Sequence, residues 1–131
     1  MGTYVAPFIS RRLWIACGLG FVLLVAFLSL TPEPIDLCQP EGLKIDHMLA
    51  YGWLMIWFGQ IYRTTGRRLL LAAAFCSLGI ALEYLQGMTG YRRFEYSDML
   101  FNAAGTALGL ALAYTPLQNC LRALETKLLA Q

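Results

Sequence analysis

LLLAAAFCSLGIALEYLQ, residues 69–86, runs for fourteen uncharged residues before it meets an acid, Glu83. At about 1.5 Å of rise per residue, an eighteen-residue helix is about 27 Å long. That is close to the ~30 Å hydrocarbon core of a bilayer. Three more runs share this character: Leu13–Leu30, Ile45–Tyr62 and Met99–Leu117. Prolines stand only at positions 7, 32, 34, 40 and 116, so none interrupts the interior of a run. The pattern predicts an all-α, single-domain protein over residues 1–131, a four-helix transmembrane bundle.

Composition agrees. Of 131 residues, 58% are hydrophobic and 14% charged, and the mean hydropathy is +0.55, well above a soluble domain. Arg11 and Arg12 precede the first run as they would in a signal peptide. The run is longer than a signal core, however, and its exit FLSLTPEP lacks a small-x-small cleavage site, so it reads as a retained helix. The net charge of +2 hides a polarity. Arg11, Arg12, Arg63, Arg67, Arg68, Arg122 and Lys127 fall at one end, and Lys44, Arg92 and Arg93 at the other. The positive-inside rule then puts both termini in the cytoplasm. Every acid except Glu125 lies toward the outer end. No basic run is long enough for a nucleic-acid surface. The cysteines at 17, 38, 76 and 120 show no disulfide or metal-ligand spacing and read as small packing residues. After the last run, LQNCLRALETKLLA has the helical alternation of a C-terminal amphipathic helix docked along the inner surface.

Helical spacing sorts the polar residues onto three stripes. Ala72, Cys76, Gly79, Glu83 and Gln86 share one face of the third run. Asp98, Asn102, Gly105 and Gly109 share a face of the fourth, where GTALG is a GxxxG motif that admits a close neighbour. His47, Tyr51, Leu54 and Phe58 share a face of the second. In a bundle His47, Glu83, Gln86, Asp98 and Asn102 would meet just beneath the outer surface.

Each of these residues has a structural reading beside the functional one. A charge in a membrane helix costs about 2.5–3.5 kcal/mol at mid-depth. Glu83 also stands near a helix C-terminus, where the macrodipole repels an anion. It is therefore either protonated or held by a cation, with Arg93, Arg92, Lys44 and His47 as candidates, in a structural lock or a site. Ser97 and Asp98 stand where a helix cap belongs. Asn102 reads equally as an interhelical hydrogen bond. His47, the only histidine, reads as a packed hydrogen-bonding group or as a base.

Together these pieces resemble the VanZ-like family of small bacterial membrane proteins, over roughly residues 44–109. KIDHMLAYGWL is similar to the family's Asp-Lys-x-x-His stretch, matched by Lys44, His47 and Tyr51, with Leu43 in place of the usual acid. EYLQ matches its Glu-x-x-Gln through Glu83 and Gln86. RFEYSDMLFNAAGTALG resembles its Arg-x4-Asp-x3-Asn-x2-Gly-x3-Gly pattern through Arg93, Asp98, Asn102, Gly105 and Gly109. The resemblance implies a multi-pass protein of the bacterial cytoplasmic membrane with an envelope-linked role. Resistance to the glycopeptide teicoplanin belongs to the family's named member.

Three functions fit the pattern. The first is an outward-facing pocket of Lys44, His47, Tyr51, Glu83, Gln86, Arg93, Asp98 and Asn102 that binds a membrane-lipid or lipid-linked cell-wall precursor head group. The second is a membrane-surface hydrolase or transferase using His47 with Glu83 or Asp98, or a divalent metal held by those three. The third is a scaffold in which Gly105 and Gly109 join a second subunit, with Gly79 serving helix packing. No cofactor motif is present.

Overall fold

A computed structural model describes residues 9–32 and 44–131. Leu43, Cys38 and most of the expected outer loop lie outside the described residues. Four helices run in sequence: α1 (Arg11–Leu30), α2 (Ile45–Ile61), α3 (Thr65–Met88) and α4 (Tyr96–Leu112). A 3-10 turn at Pro116–Asn119 then leads into α5 (Cys120–Leu129). No strand occurs among the described residues.

Local chemistry moves the boundaries away from those the hydropathy pattern suggests. Thr64 accepts a hydrogen bond from the Arg67 N–H at 3.4 Å, and this cap starts α3 at Thr65 rather than Leu69. Beyond the other end of α3, Gly90 takes φ +81°, a left-handed conformation in which a glycine closes a helix without strain. α4 stops five residues short of Leu117 because Thr115 precedes a proline. Its ψ of 175° is the extended conformation that position favours.

Among the described residues, α1 and α3 are long and apolar enough to cross a membrane. α4 with the segment to Leu129 makes a third only if the 76° bend between them is taken within one broken span. α2 and α4 have 17 residues each, about 25 Å. Length and composition thus support two or three spans where the hydropathy runs suggest four.

α2 is the centre of the bundle and packs on α1, α3 and α4, most extensively on α4. Small residues make that last contact possible. A Cβ on Gly109 would sit 2.7 Å from the Gly52 carbonyl oxygen, and one on Gly105 would collide with the Met48 carbonyl. Absent side chains let the two backbones touch and gain dispersion energy along their length. The GxxxG face is thus filled by α2 of the same chain and is not open to a second subunit. On the other flank, Phe21, Trp53, Trp57 and Trp14 join α1 to α2 through ring contacts of 4.9–5.9 Å. The Trp57 indole also donates to the Trp14 carbonyl at 2.9 Å. Outside these contacts α1 exposes Leu13, Leu19, Leu23, Leu24 and Phe27. Cys17 and Cys120 are exposed too, so the packing role expected of the cysteines does not apply to them.

α5 docks against the end of the bundle that carries the termini. Glu125 accepts from the backbone N–H of Ser10 at 2.8 Å and of Ile9 at 3.2 Å, and from the Trp14 indole at 3.1 Å. The carboxylate thereby takes the N–H at the N-cap of α1 and the one just before it. Gln60 in turn accepts from the Leu121 N–H at 2.8 Å.

Candidate functional site

At the opposite end, the starts of α2 and α4 meet the end of α3. His47, in the first turn of α2, shares a 2.8 Å hydrogen bond between its Nδ1 and Asn102 Oδ1 on α4. An amide oxygen only accepts, so Nδ1 carries the proton. Nε2 then faces Asp98 Oδ2 at 3.5 Å and Asp46 Oδ2 at 3.8 Å. The imidazole thus faces the carboxylates of Asp98 and Asp46. Lys44, at the N-cap of α2, reaches Glu95 Oε2 at 3.3 Å and Asp98 Oδ1 at 3.6 Å. Asp98 Oδ1 is sealed from solvent and has no hydrogen-bond partner among the described residues, so the Lys44 ammonium is what compensates its charge. Burial opposes the ammonium. The carboxylates of Asp98, Glu95 and Asp46 outweigh that cost and hold Lys44 above its ordinary pKa.

Asp98 does not cap α4. That helix begins at Tyr96 after Glu95, and no side chain caps it. Two residues inside, Asp98 turns to Lys44 and His47 instead.

Glu83 is 1% exposed. It accepts from the Glu95 backbone N–H at 2.7 Å, and no ion pair among the described residues includes it. Its link to the histidine network is therefore indirect, through the residue whose side chain holds Lys44. Gly79, one turn deeper on α3, makes room for Asn102. A Cβ there would stand 3.0 Å from the Asn102 amide nitrogen. A side chain there would push the amide away from its place under His47 by a few tenths of an ångström.

Gln86 departs from the expected cluster. Its amide donates to the Ser29 carbonyl on α1 at 2.5 Å. Beside it, the Tyr91 hydroxyl donates to the Leu30 carbonyl at 2.7 Å and Arg92 Nη1 to the Thr31 carbonyl at 3.0 Å. These three bonds satisfy carbonyls that α1 leaves open at its C-terminus. They also tie α1 to the α3–α4 turn across a cavity of about 240 Å³. Val25, Leu28, Leu49 and Ala50 contribute apolar lining, and Ser29, Asp46, His47, Tyr51, Gln86 and Arg92 contribute polar residues.

Of the residues singled out in the sequence, Lys44, His47, Asp98 and Asn102 form one bonded network. Glu83 adjoins it through Glu95, and Tyr51 and Gln86 line the cavity with His47. Arg93 is exposed, and its neighbour Arg92 faces the cavity. Which of two adjacent loop arginines turns inward depends on the path of the chain after Gly90, and no periodicity encodes that. Asp46, Ser29 and Glu95 were not anticipated as site groups. Asp46 could have been found as the acid of KIDH, whereas Ser29 carries no signal on an otherwise apolar stretch of helix. Among the described residues, no three His, Cys, Asp or Glu side chains are grouped to hold a metal, so His47, Glu83 and Asp98 do not form the metal set considered above.

A scan against protein-family models, a search of curated proteins and a search of solved structures each find no match for this chain.

Proposed function

We propose that this chain is a VanZ-like, multi-pass protein of the bacterial cytoplasmic membrane. In this reading all of α1–α4 span, both termini face the cytoplasm, and the polar cavity receives an envelope amphiphile by its head group. The residue pattern of residues 44–109, the seven basic residues at the terminal end and the acids at the other support it. α2 packs on three helices and exposes only Ile45, Leu49 and Trp53 among its large apolar residues, so its 17 residues need not match the bilayer alone.

The mixed apolar and polar lining of the cavity is the observation that carries the proposal. Its volume is below the ~300–1,000 Å³ of pockets that enclose whole drug-sized ligands. That suits a head group with the first part of its chain laid along Val25, Leu28 and Leu49. Arg92, Asp46 and His47 in this lining suit a head group that carries both an acceptor such as a phosphate and a donor such as an amine or hydroxyl. Four carboxyl groups, Asp46, Glu83, Glu95 and Asp98, crowd around one lysine and one histidine, which disfavours a purely anionic ligand. The hydrolase or transferase reading finds less support, because both His47 nitrogens already face partners in the protein.

Native mass spectrometry of lipids retained by the purified protein tests the proposal. The wild type is expected to hold one head-group class above its share in the membrane, and Arg92→Gln and Asp46→Asn to lose that enrichment. A lipid profile equal to the bulk membrane, or unchanged in both variants, removes it.

A further inference from the structure

Three neutral side chains on the cavity lining, Ser29, Tyr51 and Gln86, keep hydrogen-bonding capacity that the protein does not use. Tyr51 and Gln86 are each 2% exposed. Among the described residues, neither the Tyr51 hydroxyl nor the Ser29 hydroxyl makes a hydrogen bond. Ser77 and Thr106, also inside helices, return their hydroxyls to the carbonyl one turn back at 2.8 and 2.9 Å, and Ser29 does not. Glu83 is near enough for its charge to act on Tyr51, yet no hydrogen bond joins the two. Gln86 has half of its amide committed. Its nitrogen is pinned on the Ser29 carbonyl, and since only the nitrogen donates, the oxygen is the atom left open.

Groups so enclosed ordinarily find partners, because an unpaired hydroxyl or amide oxygen away from water is costly. The carboxylates nearby are differently placed. Glu95 and Asp98 hold Lys44, and Asp46, on the lining, faces His47 Nε2 at 3.8 Å. An ammonium entering the cavity would compete with Lys44 and His47 for carboxylates that they already face. Arg92 uses Nη1 on the Thr31 carbonyl at 3.0 Å, and its Nε and Nη2 make no bond among the described residues. The open capacity of the lining is thus one guanidinium edge, two hydroxyls and an amide oxygen.

We infer, resting on the reading of this cavity as a head-group site, that its ligand is the polyol phosphate of an amphiphile. The phosphate meets Arg92, and the hydroxyls meet Ser29, Tyr51 and Gln86. A hydroxyl both donates and accepts, so one polyol can donate to the Gln86 oxygen and accept from Tyr51 or Ser29. An ammonium only donates, and the O–H groups of Tyr51 and Ser29 would stay without an acceptor. Sites built around hydrogen bonds to a ligand hydroxyl discriminate strongly against analogues that lack it. Leu49 is 61% exposed, so its edge of the cavity opens onto the surface of the bundle. Acyl chains can follow that edge, which a free polyol phosphate would not use.

The test is native mass spectrometry of the full-length protein in detergent with phosphatidylglycerol, phosphatidylethanolamine and phosphatidic acid of identical acyl chains. Free glycerol phosphate serves as competitor. Wild type is expected to retain phosphatidylglycerol several-fold over the other two, and glycerol phosphate not to displace it. Tyr51→Phe keeps the ring and removes only the hydroxyl. It should lower the preference about fivefold, the effect of one lost neutral hydrogen bond, and leave phosphatidic acid binding unchanged. Ser29→Ala should act in the same direction. Each variant deletes a hydroxyl with no partner among the described residues, so the melting temperature should hold. Retention of phosphatidylethanolamine at or above phosphatidylglycerol, or a preference unchanged in both variants, overturns the polyol and leaves the head-group cavity standing. Displacement by glycerol phosphate overturns the amphiphile. Retention of none of the three lipids removes the cavity reading and this inference together.

Discussion

Gly105→Ala tests whether the α2–α4 contact sets both stability and site geometry. The new methyl carbon would lie 2.8 Å from Met48 Cα and 2.9 Å from its carbonyl carbon, and closer still to the carbonyl oxygen. Carbon atoms normally rest about 3.5–4.0 Å apart, so the two backbones must part by about 1 Å. Neither partner is a flexible side chain that could swing aside. Overpacking of this kind costs about 1–3 kcal/mol. The same displacement reaches the site, because Met48 follows His47 and Gly105 stands one turn beyond Asn102. Opening that seam by about 1 Å would stretch the 2.8 Å His47–Asn102 bond beyond hydrogen-bonding range. Equilibrium unfolding in a mixed-detergent titration measures the first effect, and retained lipid measures the second. Gly20→Ala is the control, since a Cβ there meets nothing within 4 Å. It should be neutral, or stabilising by up to about 1 kcal/mol through helix propensity. A Gly105→Ala protein as stable as the Gly20→Ala protein would refute the claim that backbone proximity holds α2 to α4.

Two further outcomes follow from single side chains. Asn102→Ala removes the acceptor of His47 Nδ1 and should cost about 1–3 kcal/mol together with the lipid enrichment, both read on the same preparations. Undiminished stability would mean that the histidine does not depend on α4. Glu125→Gln probes the tail. Burial works against the Glu125 charge, but the N–H groups of Ser10, Trp14 and Ile9 outweigh it and hold the carboxyl below its ordinary pKa. The folded state therefore binds this proton less readily than the unfolded chain. The stabilisation is complete above the unfolded value of about 4.3 and is lost as pH falls through the depressed folded value. Wild type should exceed Glu125→Gln in melting temperature at neutral pH, with the gap closing in acid. A gap that is constant with pH would show that the charge is not what secures α5.

Some of the site was legible before any coordinates because membrane helices make polar residues expensive. Glu83, His47, Asp98 and Asn102 stood out against apolar runs, and a period of 3.6 put each on a defined face. The glycines at 79, 105 and 109 marked where helices approach, for the same reason of face and spacing. The partners that could not be read in advance belong to groups whose bonds lie outside their own helix. Asp98 had the position of a cap, yet Lys44 and His47 on α2 offered it a better arrangement. Arg92 and Arg93 are equivalent in a string of letters and become distinct only once the chain has turned at Gly90. Gln86 sits on the right face but is claimed by the open carbonyl of Ser29, on a helix whose own sequence suggested no polar role.

The sequence by itself determined that this chain is all helical, that at least part of it suits a bilayer, and that its charges separate toward opposite ends. Those properties depend on hydropathy, period and residue count, which are local and additive. Tertiary structure alone decided that Glu83 meets a backbone N–H, that the GxxxG face closes on α2, and that Arg63 and Arg68 both donate to Gln118. Such outcomes arise from competition among distant donors and acceptors for a few buried positions. Only the packed arrangement of all five helices determines which partner wins.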